Sequence, residues 1–453
     1  MVVRRAFSSL VVIALLATGC GGPTATTATP SGSPVPSGST APTPARPPER
    51  VPVEVPARLD DAPYDKPRQL TLPAGWKASV YARITKARFM SPTPSGDLLV
   101  SQPSTGRVWL VRRGGDGTGR ATEFIGGLDR PHDIVFTELS GKTWVFISEA
   151  DRVMRYPYTN GDTRAGRGEV VVDGLPSTST PELGGQYAHV LKNIAIHDGV
   201  LYLSIASTCN VCVSDTVSDP QRATIYTYDA AGRNKGRKLF ARGIRNAEGL
   251  AFVPGTADLW IVVNNRDNIL VPDDRDADND GRSDKGKKVV EYVDDHPPEE
   301  FIHVREGGFY GWPFCNPNID KGMRDMPYDR DYELNRDGKK ADCSKADPVD
   351  VGIQAHSAPL GLTFTQDTAA PDLGAVVALH GSWNRSAPTG YKVIHFPWTA
   401  DGPGEQADLA TGFIDAGARR PWARPVDIAI DADGSLIVSD DLGGSLIRLT
   451  PPR

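Results

Sequence analysis

From residue 70 to the C-terminus, apolar residues fall in short runs punctuated by Gly, Pro and Asp, and no stretch of a dozen residues repeats them at helical spacing. Runs of this kind read as β-strands, so the pattern predicts an all-β domain. The runs also resemble one another: "ARFMSPTPSGDLLVSQ" from 87, "RPHDIVFTELSGKTWVFISE" from 130, "AHVLKNIAIHDGVLYLSIAS" from 188 and "RNAEGLAFVPGTADLWIVVN" from 245. Two more follow, "HSAPLGLTF" from 356 leading to "GAVVALHGSWN", and "RPVDIAIDADGSLIVSDD" from 424. Each copy has a polar or basic lead-in, a short apolar strand, a turn with Asp or Gly, and a second apolar strand ending in a small or polar residue.

The copies recur at intervals of roughly 40 to 70 residues, which marks radial repeats rather than a two-sheet sandwich. Six copies predict a six-bladed β-propeller over residues 66–453, interrupted by an insertion at about 270–299. The innermost strand of each blade lines a central channel, so residues that open the repeats converge at one end of it. This nominates Arg88, His132, His189, Arg245, Asn246, His356 and Arg424. One Arg or His at a strand start usually only bonds a neighbouring turn; a set at equivalent positions is brought together by the radial symmetry.

The N-terminus has a different pattern. Arg4 and Arg5 precede the apolar run Leu10 to Leu16, which is too short to span a bilayer and is followed by small residues and Cys20. Residues 1–20 therefore read as a secretion signal, and "LLATGC" resembles a bacterial lipobox with Cys20 as the lipid-modified residue. Residues 21–65 are rich in Pro, Thr and Ser and predict a disordered linker. The implied location is outside the cell, either on the outer face of the bacterial membrane, held by lipid alone, or secreted. A net charge of -6 gives no sign of a nucleic-acid partner.

With Cys20 assigned to lipid, the remaining four cysteines form an even set in an oxidising compartment, and the expected pairs are Cys209 with Cys212 and Cys315 with Cys343. "STCNVC" could instead be a redox pair, but it lacks a βαβ context; zinc would need a second ligand pair.

Asp276, Asp278 and Asp280, then Gly281 and Asp284, have the spacing of a calcium loop. Alternating carboxylates can surround one hard cation, and the glycine permits the bend. Lys287 stands where an EF-hand has its closing Glu, so the loop reads as an isolated structural site, stiffening an excursion near the pocket.

Guanidinium groups, an amide and imidazoles around one pocket suit a carboxylate-bearing ligand beside a proton acceptor. The motifs "IRNAEGLAF", "VREGGFYGWPFC", "STCNVC" and "LHGSWNRSAPTGYKV", in that combination, resemble the PQQ-dependent soluble aldose dehydrogenase superfamily, nearest its sorbosone or pyranose dehydrogenase-like branch. The resemblance runs from about Leu70 to the C-terminus. It implies a six-bladed propeller that binds pyrroloquinoline quinone and Ca2+ and oxidises a sugar at C1, with electrons passing to an acceptor the sequence does not name. It further implies His189 as the base and Arg245 as its catalytic partner. His132, Arg245, Asn246, Trp383, Asn384, Arg385 and Arg424 would surround the cofactor, and the backbone near Asn265, Arg266 and Asp267 would hold the cofactor-site calcium.

Three further readings stay open. A lactonase-like hydrolase would use a central metal on Glu248, Asn264 and Asp440, and a non-enzymatic sugar-binding or scaffold propeller would use the pocket without chemistry. Phe309, Tyr310 and Trp312 could stack a sugar ring or simply build a turn, while Tyr391 reads as packing.

Overall fold

The computed structural model describes residues 46–233 and 236–452. The predicted signal, Cys20 and the linker up to residue 45 lie outside the described residues. Six sheets of four or more strands form the blades of a six-bladed β-propeller. Their inner strands are Met90–Pro92, Ile134–Leu139, Ile194–His197, Ala247–Phe252, Pro359–Phe364 and Pro425–Ile430, each within or directly after one of the sequence repeats. The four core strands of each blade run antiparallel, as in the pairing of Ile194 with Leu203 and of Leu203 with Tyr226 in blade 3, and parallel pairs occur only where an extra strand is added, as Glu49–Glu54 is beside Lys77–Arg83.

Blade 6 closes the ring by joining chain ends, since Lys77–Arg83 pairs antiparallel with Ser445–Thr450. Here the sequence reading needs correction, because ordered structure begins before residue 66. Glu49–Glu54 is a strand between Gln69–Leu72 and Lys77–Arg83. Val53, Leu59 and Tyr64 are buried, and the Tyr64 hydroxyl lies 2.7 Å from Ser445 Oγ. The alternation of Val51, Val53 and Val55 is a two-residue strand signal that the surrounding prolines disguised as linker.

Apolar residues on facing blades make the core; Phe146, Leu201, Leu203 and Ile205, for example, are fully buried in one cluster between blades 2 and 3. Full burial of each such side chain is worth about 1.5–3 kcal/mol. Polar staples supplement this packing. Asp133 of blade 2 accepts the Ile194 N–H of blade 3 at 2.9 Å, and Asp427 of blade 6 accepts the Met90 N–H of blade 1 at 2.8 Å. Blades 4, 5 and 6 approach through glycine: a Cβ on Gly249 would lie 2.6 Å from Leu360 O, and one on Gly361 would overlap the Asp427 carboxylate.

The insertion leaves blade 4 after Leu259–Val263 and returns as Glu299–His303. It carries the short helix Val290–Asp295, which the sequence reading did not anticipate. A second excursion holds the strands Cys315–Pro317 and Tyr328–Arg330 and is closed by the Cys315–Cys343 disulfide. Cys209 pairs with Cys212, so both bridges are as the sequence suggested.

Candidate functional site

At corresponding places near the start of the inner strands stand Phe89, His132, Lys192, Glu248, Leu360 and Val426, all buried. Phe89, Leu360 and Val426 pack together, and the Phe89 ring lies 4.4 Å from that of His132. His132 Nε2 is 3.3 Å from Glu248 Oε2, while Asn246 Nδ2 donates to Glu248 Oε1 at 3.1 Å. Burial lowers the His132 pKa, and its buried Nδ1 has no partner, as befits a neutral ring donating from Nε2. Burial would raise the Glu248 carboxyl, but the His132 hydrogen bond and the Arg88 charge outweigh it and bring it to about 2.

Above this plug, Arg88, His189, Glu248 and Asp441 line a pocket of about 300 Å³. His189 Nδ1 is 2.8 Å from Ser207 O, which fixes the N–H on that side and leaves Nε2 as the lone-pair nitrogen. Burial, then the Arg245 charge, lowers its pKa to about 4, so the ring is neutral at physiological pH. Arg88 donates to Asp441 Oδ2 at 3.1 Å, and His380 Nε2 lies 2.9 Å from Asp441 Oδ1. Burial pushes the Asp441 carboxyl up, but His380 and the Arg88 and Arg424 charges hold it below the usual range.

A second network lies beside the insertion. Arg245 donates to Asn210 O at 3.3 Å, to Asn210 Oδ1 at 3.1 Å, to Asn264 O at 3.2 Å and to Asp267 Oδ2 at 3.3 Å. Asp267 Oδ1 is 3.8 Å from His356 Nδ1, and Asn384 Nδ2 is 3.3 Å from the same nitrogen. His356 Nε2 donates to Val293 O at 2.6 Å, tying this side to the insertion helix. Adjacent Arg245 and Asn246 join the two networks, so the repeat lead-ins nominated from sequence fall into one connected set.

Several nominees have other duties. Arg424 donates to His380 O at 3.1 Å and Gly381 O at 3.3 Å, with its guanidinium 6.0 Å from the Tyr391 ring. Arg385 donates to Ala355 O and Asp295 Oδ1, both at 3.3 Å. Trp383 is 75% exposed, a free aromatic face on the loop that carries Asn384. The Arg266 side chain turns away toward the second excursion, where it pairs with Asp331 and with Glu333 at 2.6 Å, so only its backbone is left for a role at the pocket.

Trp312 and Tyr310 are buried, which removes them as a sugar platform; the Trp312 indole donates to Asn210 O at 3.2 Å. Tyr391 is buried packing, as expected. Glu248, Asn264 and Asp440 do not converge on a metal. Asp440 accepts the backbone N–H groups of Arg424, Leu442 and Gly443, and Asn264 donates to Pro359 O.

In the acidic loop, ligand atoms of Asp276, Asp278 and Asp284 lie within 4.8 Å of one another. Asp280 is not in that group; its carboxylate accepts the Arg282 N–H at 2.9 Å. The glycine bend is present, with φ of +84° at Gly281.

Asp441, His380 and Lys192 escaped the sequence reading. His380 and Asp441 directly follow the second strands Ala375–Leu379 and Leu436–Asp440, and the two side chains meet at 2.9 Å. Lys192 is fully buried with Nζ 2.6 Å from Val190 O, and burial, reinforced by the Arg222 charge, lowers its pKa to about 7. It was indistinguishable from a surface lysine in a short polar lead-in.

An uncharacterized protein of Borreliella burgdorferi is 24% identical over 281 residues, 61% of this chain and 62% of that protein. A pyrroloquinoline quinone-dependent pyranose dehydrogenase of Coprinopsis cinerea is 35% identical over 116 residues, 21% of this chain and 15% of that enzyme. The chain thus spans less than two thirds of either relative. Among solved structures, the holo PQQ domain of the Coprinopsis cinerea pyranose dehydrogenase has a TM-score of 0.67 at 21% identity, covering 84% of this chain and 97% of that one. The calcium structure of a Trichoderma reesei family AA12 carbohydrate-active enzyme has a TM-score of 0.68 at 19% identity, covering 84% and 96%. These likenesses show the shared propeller fold. A family model described as TrAA12-like matches residues 70–451, so the repeats, the channel mouth and the insertion lie within the match and the chain belongs to the TrAA12-like family.

Proposed function

We propose that the protein is a PQQ-dependent dehydrogenase that oxidises an aldose or related sugar at C1 and passes the electrons to an external acceptor. The observation that carries this reading is His189: a neutral imidazole with Nδ1 held by Ser207, in a pocket shared with Arg88 and close enough to Arg245 for that charge to lower its pKa. Related proteins named as PQQ-dependent sugar dehydrogenases support the same class of chemistry.

The residues present fit a tricarboxylate quinone. Arg88 Nε and Arg385 Nε are buried without hydrogen-bond partners, two donors that an anionic, carbonyl-bearing ligand can satisfy. Arg245, Asn246, Asn384, Arg385 and Arg424 would hold the group, with His132 beneath it in the plug and Trp383 on the rim. When bound, the quinone supplies a two-electron acceptor for the C1 hydride.

His189 Nε2 takes the proton from the C1 hydroxyl as the C1–H bond gives up its electron pair, and the sugar leaves as a lactone. The Ser207 hydrogen bond keeps the acceptor nitrogen in place and supports the imidazolium that forms. Arg245 would hold the anionic group and, as a fixed positive charge beside it, would favour the negative charge that hydride acceptance brings. Backbone carbonyls around Arg266 and Asp267 are assigned to a cofactor-site calcium, and Asp276, Asp278 and Asp284 to a separate structural calcium. Export with a lipid anchor on Cys20 completes the proposal, and the two disulfides fit such a compartment.

The test is dye-linked oxidation of a panel of aldoses by purified protein supplied with the quinone and calcium. Turnover that requires the quinone and vanishes in His189→Ala supports the reading. Absence of quinone binding in folded, calcium-supplemented protein overturns it, and lactone hydrolysis without any acceptor would establish the hydrolase instead.

A further inference from the structure

We infer that the loop from Ser207 to Cys212, closed by the Cys209–Cys212 disulfide, sets the positions of both His189 and Arg245, and that Asn210 at its tip is the positioning residue. The inference rests on the proposed roles of those two side chains and explains why "STCNVC" belongs to the site rather than to the scaffold.

The hydrogen bonds converge on this one loop. His189 Nδ1 is held by Ser207 O at 2.8 Å and is 3.0 Å from Ser207 Oγ, which itself donates to Cys209 O at 2.9 Å. Ser207 N–H donates to Arg245 O at 2.8 Å, so the loop also grips the arginine's backbone. Asn210 then grips its guanidinium twice, through O and Oδ1. The same Oδ1 accepts the Asp267 N–H at 2.8 Å, Nδ2 donates to Asp267 O at 2.8 Å, and Asn210 O takes the Trp312 indole N–H. Every polar atom of this side chain is spent on orienting Arg245 and the Asp267 backbone. The amide suits both tasks, because its oxygen accepts from Arg245 and the Asp267 N–H while its nitrogen donates to Asp267 O.

The loop is fastened at its base as well. Thr208 N–H and Oγ1 donate to the buried Asp215 at 2.7 and 2.9 Å, and Arg222 pairs with that carboxylate at 3.2 Å. Between this anchor and Asn210, the disulfide removes the remaining freedom. A ring closed over a sequence separation of 3 restricts the unfolded chain far less than one closed over 28, so the Cys209–Cys212 bridge is expected to act locally where Cys315–Cys343 acts on stability. Both cysteines of the small ring are half-buried.

The experiment compares wild type, Asn210→Ala and Cys209→Ser/Cys212→Ser by three readouts: melting temperature, kcat with quinone affinity, and the His189 titration followed by NMR in quinone-free protein. Both variants are expected to melt close to wild type. In Asn210→Ala, kcat is expected to fall about 100-fold, the scale of a small misplacement of a catalytic group. The disulfide variant should fall in the same direction by a smaller factor. In both, the His189 midpoint should rise from about 4 toward 6.5, as the Arg245 charge moves away and water enters.

The NMR titration needs neither quinone nor turnover. If wild type fails to bind the quinone, the dehydrogenase reading falls, yet a shifted His189 midpoint in the variants still upholds the positioning role. An unchanged midpoint and unchanged quinone affinity in a folded Asn210→Ala protein overturn the inference. So does activity that declines only in proportion to folded protein. Should Asn210→Ala not fold, the disulfide variant carries the same decision.

Discussion

His132 Nε2 and Glu248 Oε2, contributed by blades 2 and 4, meet 3.3 Å apart at the axis of the propeller. The pair links two blades that are not neighbours in the ring, with Arg88 4.0 Å from the same carboxylate. A buried carboxylate in such a place is held only by its donors. Glu248→Ala should therefore destabilise the protein by on the order of 2–3 kcal/mol, because it strips the acceptor from buried His132 and Asn246. Urea unfolding checks the value, and Glu248→Gln, which keeps an acceptor, should recover part of it.

Removal of the proposed base gives the next expectation. His189→Ala should lower kcat by a factor on the order of 100 to 10,000 while leaving the fold intact. In the wild type, the acid limb of kcat/KM should lie near pH 4 instead of 6.5, since burial and Arg245 depress the imidazole. A limb that stays near 6.5 would remove His189 from the role.

The same depression has a consequence for stability. His132, His189, His356 and His380 all have folded pKa values lowered chiefly by burial, so the unfolded chain binds protons more readily than the native one as pH drops below about 6.5. Their contribution is fully present above that pH and is lost as pH falls through the folded values. The buried carboxyls of Glu299, Glu300 and Asp427, each pushed up by burial to about 8, act in the opposite sense, so the histidine contribution is read as a difference: the gap in urea midpoint between wild type and His380→Asn should narrow from pH 7 to pH 4.

Calcium offers an independent handle. If Asp276, Asp278 and Asp284 take up the ion, then calcium at about 100 times Kd should add about 2.7 kcal/mol to stability. A chelator should reverse the gain. Asp278→Asn should weaken the effect, whereas Asp280→Asn, outside the three-carboxylate group, should alter it less.

Close approach of blades 5 and 6 depends on a missing side chain. Gly361→Ala puts a methyl group into the Asp427 carboxylate and backbone, so it should cost at least the roughly 1–3 kcal/mol typical of overpacking. Thermal melting of this variant beside Gly255→Ala, where the glycine lies in open space but has a φ of +74°, separates crowding from backbone strain.

The sequence by itself determined the all-β class, the number of blades and the lead-in residues, because the repeat period is written locally and symmetry carries equivalent positions to one axis. It also held both disulfide pairs and the acidic loop. It did not determine where the domain starts, since the prolines around Glu49–Glu54 hid a strand that pairs with Gln69–Leu72 and Lys77–Arg83. Nor could it show what the Arg266 side chain does: it turns into the second excursion toward Asp331 and Glu333, while Arg245 pairs with Asp267. Those directions depend on where a long excursion folds back. The pairing of Asp441 with Arg88 and His380, and the convergence of His189 and Arg245 on one small loop, were likewise decided by tertiary structure, because a hydrogen bond links atoms in space that the chain separates by tens or hundreds of residues.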